Sequence, residues 1–247
     1  MSKTENDLEL VNARLRELDE LKTTFVALVS HELRTPVQLI IGFLDMGLEL
    51  LPPGTPPEVL QSFETARTQV SRMMRIVQEL TDFARLQRDP AVELADPIMV
   101  GEALVQVFTL LVPLLKTKGI TPVIDLPGEI QKARFDGESL LIIFRNLLSN
   151  SAKFTPNGGR VWIDGGYTPG DGAISISIHD TAAPIPPEKR ESLFMDFRQL
   201  ENYLTRRYEG LGLGLAVAQR MARALGGDIS LHVRPDGNTF TVSLPAQ

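Results

Sequence analysis

The sequence of 247 residues contains no cysteine. Disulfide bonds, thiolate metal sites and cysteine nucleophiles are therefore excluded. A surplus of positive charge is also missing: the formal net charge is −6, which gives no electrostatic basis for binding nucleic acid. No uninterrupted apolar run is long enough to span a bilayer, and residues 1–20 are too charged for a signal peptide, so we expect no direct membrane contact in this chain.

The first third of the chain has the pattern of a helical hairpin. Apolar residues recur at spacings of three and four between Leu8 and Leu18, which is typical of a coiled coil leading into a long amphipathic helix. The prolines in residues 52–57 end that helix, and a second amphipathic segment runs from Glu58 to about Arg88. A hairpin this thin cannot bury its apolar faces alone, so we predict that two copies form a four-helix bundle, making the protein a homodimer.

Later segments mix helices with strands. Period-two alternation predicts strands with one buried face in residues 161–163 and 174–178. The segment 231–244 predicts a closing hairpin around its Pro-Asp-Gly turn. Three helices are also predicted, near residues 100–118, 137–153 and 213–225.

The change of pattern divides the chain at a linker, Arg88–Pro90. We predict an α+β protein with two domains: residues 1–90, a coiled-coil lead-in and dimerisation hairpin, and residues 91–247, an α/β layer with helices on one face of its sheet. A chain of this length is long enough to form two such domains.

The segment with the clearest chemistry is Ser30–Pro36, inside the first long helix. Histidine is a nitrogen nucleophile that is largely neutral near pH 7. Glu32 is placed to bind one ring nitrogen of His31 and to take up a proton. A proline inside a helix costs roughly 3 kcal/mol, which a purely structural helix has little reason to carry. We therefore interpret His31 as reactive, against the alternative of an ordinary solvated histidine.

A second segment, residues 146–155, places polar residues on one face of a helix. Asn146, Asn150 and Lys153 lie four and three residues apart, and Asp136 upstream is the predicted N-cap. Asparagine oxygens are suitable ligands for Mg²⁺, and lysine supplies positive charge for phosphate. The alternative is that these are simply exposed polar residues of a helix.

A third segment alternates glycine with apolar residues and then enters a helix. It contains Gly210, Gly212 and Gly214, followed by Leu215. Glycine permits close approach of the backbone, and the amides at a helix N-terminus favour phosphate oxygens. Such a loop is weak evidence by itself. Its position in the sequence, after the second segment, strengthens the interpretation.

Together these segments resemble the sensor histidine kinases of two-component systems. Ser30–Pro36 contains the complete HELRTP phosphoacceptor box. Residues 146–155 look like the N box, and residues 210–216 look like the G2 box of the Bergerat-type (GHKL) ATPase fold. The resemblance covers nearly the whole chain and implies a dimerising helical hairpin followed by an α/β-sandwich ATP-binding domain.

The resemblance also implies the activity. ATP, bound with Mg²⁺, would phosphorylate His31, and the phosphoryl group would pass to an aspartate in the receiver domain of a response regulator. Glu32 and Arg34 would assist the transfer, and Thr35 would orient water for dephosphorylating the regulator. The chain would act in the cytoplasm, either alone or as the core of a longer, membrane-linked sensor.

A set of nucleotide-binding residues follows from the same resemblance. Asn150 would hold Mg²⁺, Lys153 would meet phosphate, and Asp180 would accept the amino group of adenine under a lid at residues 181–209. The other members of the set are Asn146, Phe154, Ile185, Gly210, Gly212, Gly214, Leu215 and Thr239.

The loop after Asp180 departs from the family pattern. Ala182 and Pro184 stand where the family has glycines; alanine disfavours positive φ, and proline removes an amide donor. We therefore expect weaker or slower nucleotide handling. The alternative function is a nucleotide-deficient signalling scaffold or a phosphatase of the response regulator. Two other histidines, His179 and His232, lie in predicted strands and are expected to be structural.

Overall fold

The computed structural model describes residues 3–86, 96–167, 173–195 and 212–245, and within the helices it leaves out the side chains of residues 3–25, 27 and 83–86. The chain divides into two compact units, Met1–Asp89 and Pro90–Gln247. Several predicted features lie outside the described part: the side chains of the stripe at residues 8–18, the linker Arg88–Pro90, residues 196–209 of the proposed lid, and Gly210.

The first unit is a pair of helices that pack against each other, α1 (Lys3–Leu50) and α2 (Pro57–Leu86). The predicted proline-rich break is confirmed. Thr55 closes the connection, because its amide and its hydroxyl both donate to the carbonyl of Pro52, at 3.2 and 2.7 Å. Two valines, Val37 and Val77, are buried in this unit, one on each helix.

The second unit contains helices and strands in mixed order. Its helices are α3 (Val100–Lys118), α4 (Gly128–Lys132), α5 (Gly137–Phe154), α6 (Pro187–Arg190) and α7 (Gly214–Ala224). Its strands are β1 (Pro97–Met99), β2 (Val123–Asp125), β3 (Arg134–Asp136), β4 (Val161–Tyr167), β5 (Ile174–Asp180), β6 (Asp228–Arg234) and β7 (Gly237–Leu244).

Five of these strands form one sheet in the order β2-β4-β5-β7-β6. β2 runs parallel to β4, and the other neighbours are antiparallel. β1 and β3 form a separate antiparallel pair. The register places Asp180 opposite Asn238, and His179 opposite Thr239. Because successive side chains point to opposite faces, these two pairs lie on opposite faces of the sheet.

The core of the second unit lies between the sheet and its helices. Alternate residues of β5 are buried, and α5 packs against α3, α7 and β5. Leu104, Phe144, Ile176 and Val242 are almost fully buried. Burying such a side chain stabilises the fold by about 1.5–3 kcal/mol. The predicted α+β architecture, a helical hairpin followed by a sheet covered by helices, is confirmed.

One described helix, α3, is long and apolar enough to pass a length-and-composition test for a membrane span. Helices of folded domains pass the same test. α3 contains Glu102, carries Lys116 and Lys118 in its last turn, and packs against α5. The test is therefore weak evidence for a membrane span here.

Candidate functional site

The predicted reactive histidine lies in the middle of α1 with its side chain in solvent. The side chain of His31 is 74% exposed, and that of Glu32 is 72% exposed. Nδ1 of His31 lies 3.4 Å from Oε1 of Glu32, which is close enough to orient the ring but too long for a strong hydrogen bond. With the proton on Nδ1, the lone pair of Nε2 is available as a nucleophile.

Arg34 reaches from α1 to α2. Its Nη2 donates to Oγ1 of Thr81 at 3.0 Å and to Oε1 of Gln78 at 3.4 Å. Gln78 in turn donates to the buried carboxylate of Asp82 at 2.8 Å. The guanidinium is therefore held by the second helix. Neither Gln78 nor Asp82 was identified from the sequence, because the contact joins residues more than forty positions apart.

The helix continues through Pro36. A proline has no amide proton, so the carbonyl of Glu32, four residues earlier, loses its usual partner within the helix. Thr35 is exposed beside it, and Ser30 is buried with its hydroxyl donating to the carbonyl of Val26 at 2.7 Å. The motif thus combines an exposed histidine with a locally weakened helix.

The second predicted segment occupies the last turns of α5. That helix begins at the predicted cap, Asp136, whose carboxylate accepts from the amide of Ser139 at 2.8 Å. Asn150 and Lys153 are half-buried near its end, and Nζ of Lys153 lies 5.0 Å from the ring centroid of the exposed Phe154.

The structure brings Asn146 to the glycine-rich segment. Its Nδ2 donates to the carbonyl of Ile142 at 2.9 Å. A Cβ atom on Gly214 would lie 2.7 Å from Oδ1 of Asn146. A side chain at this position would therefore have to displace the side chain of Asn146. Gly214 opens α7, and Gly212 before it has a φ of +74°, a backbone conformation that glycine adopts without penalty. Leu215 follows in the first turn of α7, half-buried.

Asp180 is the buried polar centre of the second unit, with only 2% of its surface exposed. Its Oδ2 accepts from the hydroxyl of Ser151 at 2.9 Å. Its Oδ1 accepts from the amide of Ala182 at 3.1 Å and from Nδ2 of Asn238 at 3.2 Å. A carboxylate has about four acceptor positions, so one remains, on Oδ2. The group can accept one further donor, such as an amino group of a ligand.

The loop that lacks glycine is held by Asn238. Nδ2 of this residue donates to the carbonyl of Ala183 at 3.1 Å, and Oδ1 accepts from the amide of Ile185 at 3.0 Å. Asn238 is buried, and so is Ile185. Pro184 cannot donate a backbone hydrogen bond, so the asparagine fixes the residues on either side of it. Asn238 was missed in the sequence, although the next residue, Thr239, was among the predicted nucleotide-binding residues.

Thr239 does not join this cluster. Its hydroxyl lies 2.9 Å from Nδ1 of His179 on the other face of the sheet. His179 also stacks on Trp162, with ring centroids 4.8 Å apart, and its Nε2 lies 2.9 Å from the carboxylate of Asp164. These contacts fit the structural role expected of His179. The structure therefore places Asn238, one residue earlier than expected, beside Asp180.

The neighbouring glycine explains why the strand can approach Asp180 so closely. A Cβ on Gly237 would collide with the carbonyl oxygen of Asp180. A glycine is therefore required at the start of β7.

In the part of the chain that the structure describes, no group of three or more His, Asp or Glu side chains is placed to hold a metal ion. A metal bound at Asn150 would have to complete its coordination with ligand oxygens and water.

Comparison with protein families gives two matches along the chain. Residues 21–89 match the family model described as the His Kinase A (phospho-acceptor) domain. Residues 135–247 match the model described as histidine kinase-, DNA gyrase B- and HSP90-like ATPase. The first match contains His31, and the second contains the cluster around Asp180.

Curated relatives align with almost the whole chain. Hybrid signal transduction histidine kinase D of Dictyostelium discoideum is 32% identical over 244 residues, covering 97% of this chain and 16% of the relative. Signal transduction histidine-protein kinase BarA of Escherichia coli strain K12 is 32% identical over 240 residues, covering 95% of this chain and 26% of the relative. The chain thus spans about a quarter or less of the length of these proteins.

One solved structure resembles the fold over most of the chain. It is the crystal structure of full-length ShkA in complex with AMPPNP, with a TM-score of 0.71 and 27% sequence identity. The match covers 90% of this chain and 46% of that one. A nucleotide analogue is therefore bound in a protein with this arrangement of helices and strands.

Proposed function

Since the chain belongs to the sensor histidine kinases of two-component systems, we propose that it uses ATP to phosphorylate His31 and passes the phosphoryl group to an aspartate of a response regulator. The observation that carries this proposal is the exposed His31, with Glu32 at its Nδ1, on a phosphoacceptor hairpin joined to an ATPase-type domain.

The proposed transfer is a displacement at the γ-phosphorus of ATP. Nε2 of His31 forms a phosphorus–nitrogen bond while the bond from phosphorus to the β,γ-bridging oxygen breaks, and ADP leaves with that electron pair. Glu32 stabilises the Nδ1 proton of the ring, which becomes cationic on attack. Arg34, held by Thr81 and Gln78, supplies positive charge near the transferring group.

The nucleotide would be bound by residues around α5 and its neighbours. Asp180 has one acceptor position left for the amino group of adenine. Asn150 would supply an amide oxygen to Mg²⁺, and the ion would neutralise phosphate charge. Lys153 and the backbone amides around the segment 210–214 would bind phosphate. The remaining proposed contacts are Asn146, Phe154, Ile185 and Leu215.

The altered loop is compatible with this proposal. Asn238 fixes the backbone on both sides of Pro184, so the loop keeps a defined conformation without the two glycines. We still expect weaker nucleotide binding than a glycine-containing loop would give, because Pro184 offers no amide donor. No contact in the described residues favours a non-catalytic scaffold over a kinase.

Dimerisation is the second part of the proposal. Large apolar side chains are exposed on both helices of the first unit: Leu39, Ile40, Phe43, Met46 and Leu50 on α1, and Val59, Leu60 and Met73 on α2. A second copy of the hairpin would cover them in a four-helix bundle.

The receiver domain of the response regulator would approach the exposed His31. Thr35 would be available to orient the water that hydrolyses the phosphoryl group from the regulator. The reaction with ATP and the receiver domain would take place in the cytoplasm, with the chain acting alone or as the core of a longer, membrane-linked sensor.

The test is incubation with ATP labelled at the γ-phosphate. A phosphohistidine is acid-labile and base-stable, so the expected product is a label with those properties. Addition of a purified receiver domain should move the label to that domain. A folded chain that binds Mg²⁺-ADP but never acquires label would overturn the kinase proposal and favour the scaffold.

A further inference from the structure

Lys118, the last residue of α3, makes an unusual set of contacts with a different helix. Its Nζ donates to the carbonyls of Ala152 at 3.0 Å, Lys153 at 2.5 Å and Thr155 at 2.7 Å. All three acceptors belong to the C-terminal end of α5 or to the residue that follows it. A lysine ammonium has three donors, and here three backbone carbonyls receive them.

The end of α5 needs such a partner. The last four carbonyls of a helix find no amide donor within the helix itself. The amide of Thr155 still bonds to the carbonyl of Ser151, but the backbone then becomes extended, with φ −61° and ψ 130° at Thr155. Pro156 has no amide to offer. The ammonium also lies at the negative end of the helix macrodipole, where a cation is favoured.

The local fold of α3 holds the lysine in place. Gly119 ends that helix with a φ of +64°, and its amide bonds back to the carbonyl of Lys116. The carbonyl of Lys118 accepts from the amide of Gly158, beyond the end of α5, at 2.7 Å. Partial burial lowers the pKa of Lys118, as expected when an ammonium exchanges water for protein. Both its side chain and its backbone therefore bind the same stretch.

The turn that Lys118 holds carries the two residues assigned to Mg²⁺ and phosphate. Asn150 lies one turn before the end of α5, and Lys153 contributes one of the three carbonyls itself. We propose that Lys118 is a positioning residue for nucleotide binding, acting through the last turn of α5 on Asn150 and Lys153. This inference rests on the proposed function, because it presupposes that the face of α5 binds nucleotide.

The experiment compares three variants of the full chain. Lys118→Met keeps the side-chain stem and removes the charge and the donors, while Lys118→Arg keeps charge and donors. Lys116→Met is the matched control, since it makes the same change two residues earlier at an exposed position of the same helix. The affinities for Mg²⁺-ADP and for AMP are measured by competition with a fluorescent nucleotide, and thermal melting is recorded without nucleotide.

We expect Lys118→Met to weaken Mg²⁺-ADP binding by about tenfold or more and AMP binding by less than about twofold. The reason is that the variant displaces Asn150 and Lys153, which are assigned to the metal and to the distal phosphate that AMP lacks. Lys118→Arg should recover part of the affinity, and Lys116→Met should bind as the unaltered chain does. In a Lys153→Met background, Lys118→Met should weaken Mg²⁺-ADP binding by a smaller factor than in the unaltered chain, because only its effect through Asn150 remains.

The results separate three conclusions. If the unaltered chain does not bind Mg²⁺-ADP, the proposed function itself fails. If the unaltered chain binds but Lys118→Met weakens ADP and AMP equally, Lys118 only stabilises the fold, and the inference is overturned. Equal affinities in all variants overturn it as well. Should Lys118→Met not fold, Lys118→Gln takes its place, because it keeps polar donors without the charge.

Discussion

The phosphoacceptor hairpin and the nucleotide-binding unit hold their polar residues in opposite ways. His31 and Glu32 stand in solvent and share one long contact. Asp180 and Asn238 are buried, and each makes hydrogen bonds to several partners. The exposed pair is accessible to a second protein, whereas the buried pair fixes the loop at residues 182–185. Substitutions of the exposed pair should therefore change the reaction rate alone, and substitutions of the buried pair should change stability as well.

The largest effect is expected at His31. His31→Gln removes the nucleophile, so no acid-labile label should form with γ-labelled ATP. Because the side chain is exposed, the melting temperature and the affinity for Mg²⁺-ADP should not change. A fall in the melting temperature by several degrees would contradict the separation of rate from stability in the hairpin.

Glu32→Gln should give the next largest effect. The amide keeps the shape of the side chain but stabilises the ring proton less, so autophosphorylation should slow by about 10²-fold, the usual size of a general acid or base contribution. Single-turnover labelling measures the rate. Glu49→Gln, an exposed change on the same helix, is the control and should label at the normal rate. Equal rates for the two variants would remove Glu32 from the mechanism.

Asn238→Ala should lower both the stability of the second unit and its affinity for nucleotide. It leaves the amide of Ile185 and the carbonyl of Ala183 without their partner, which costs about 1–3 kcal/mol of unfolding free energy. Mg²⁺-ADP affinity should fall by about tenfold because the loop beside Asp180 loses its position. Urea unfolding and nucleotide titration measure the two effects. Thr239→Val, one residue later and facing the other side of the sheet, should leave the affinity unchanged.

The smallest effect is expected from restoring glycines to the loop. The pair Ala182→Gly and Pro184→Gly returns an amide donor, so nucleotide affinity should rise by roughly threefold, although added chain entropy should cost about 0.5–1 kcal/mol per glycine. Calorimetric titration with Mg²⁺-ADP and thermal melting give both values. Ala183→Gly, between the two positions, should lower stability without raising affinity. A loss of affinity in the double variant would show that the native loop is already optimal.

Local patterns predicted the three long helices of the second unit closely, whereas the short helices α4 and α6 were not predicted. The expected helix at residues 137–153 is observed as Gly137–Phe154, and its N-cap Asp136 is confirmed by the hydrogen bond to Ser139. Such features depend on neighbours within one or two turns, so a single sequence suffices to recognise them. The short strands β1, β2 and β3 were not predicted, because three residues are too few to show an alternation.

Contacts between distant residues could not be predicted. The choice between Asn238 and Thr239 depends on sheet register, and a shift of one residue moves a side chain to the opposite face. Lys118 carries a charge in the last turn of an amphipathic helix, which is typical of a solvated lysine. Its bonds to residues 34 to 37 positions away exist only once α3 packs beside α5.

The helix that carries His31 has a mechanical consequence. α1 is unbroken for 48 residues, which corresponds to about 72 Å. An α-helix turns by about 100° per residue, so one residue inserted upstream of Val26 would rotate everything beyond it by that angle, whereas seven inserted residues would nearly restore the original orientation. The direction in which His31 points around the helix axis, relative to the start of α1, is thus set by the number of residues between them. Output should vary with insertion length in a period of about 3.6 residues, of which seven residues complete nearly two.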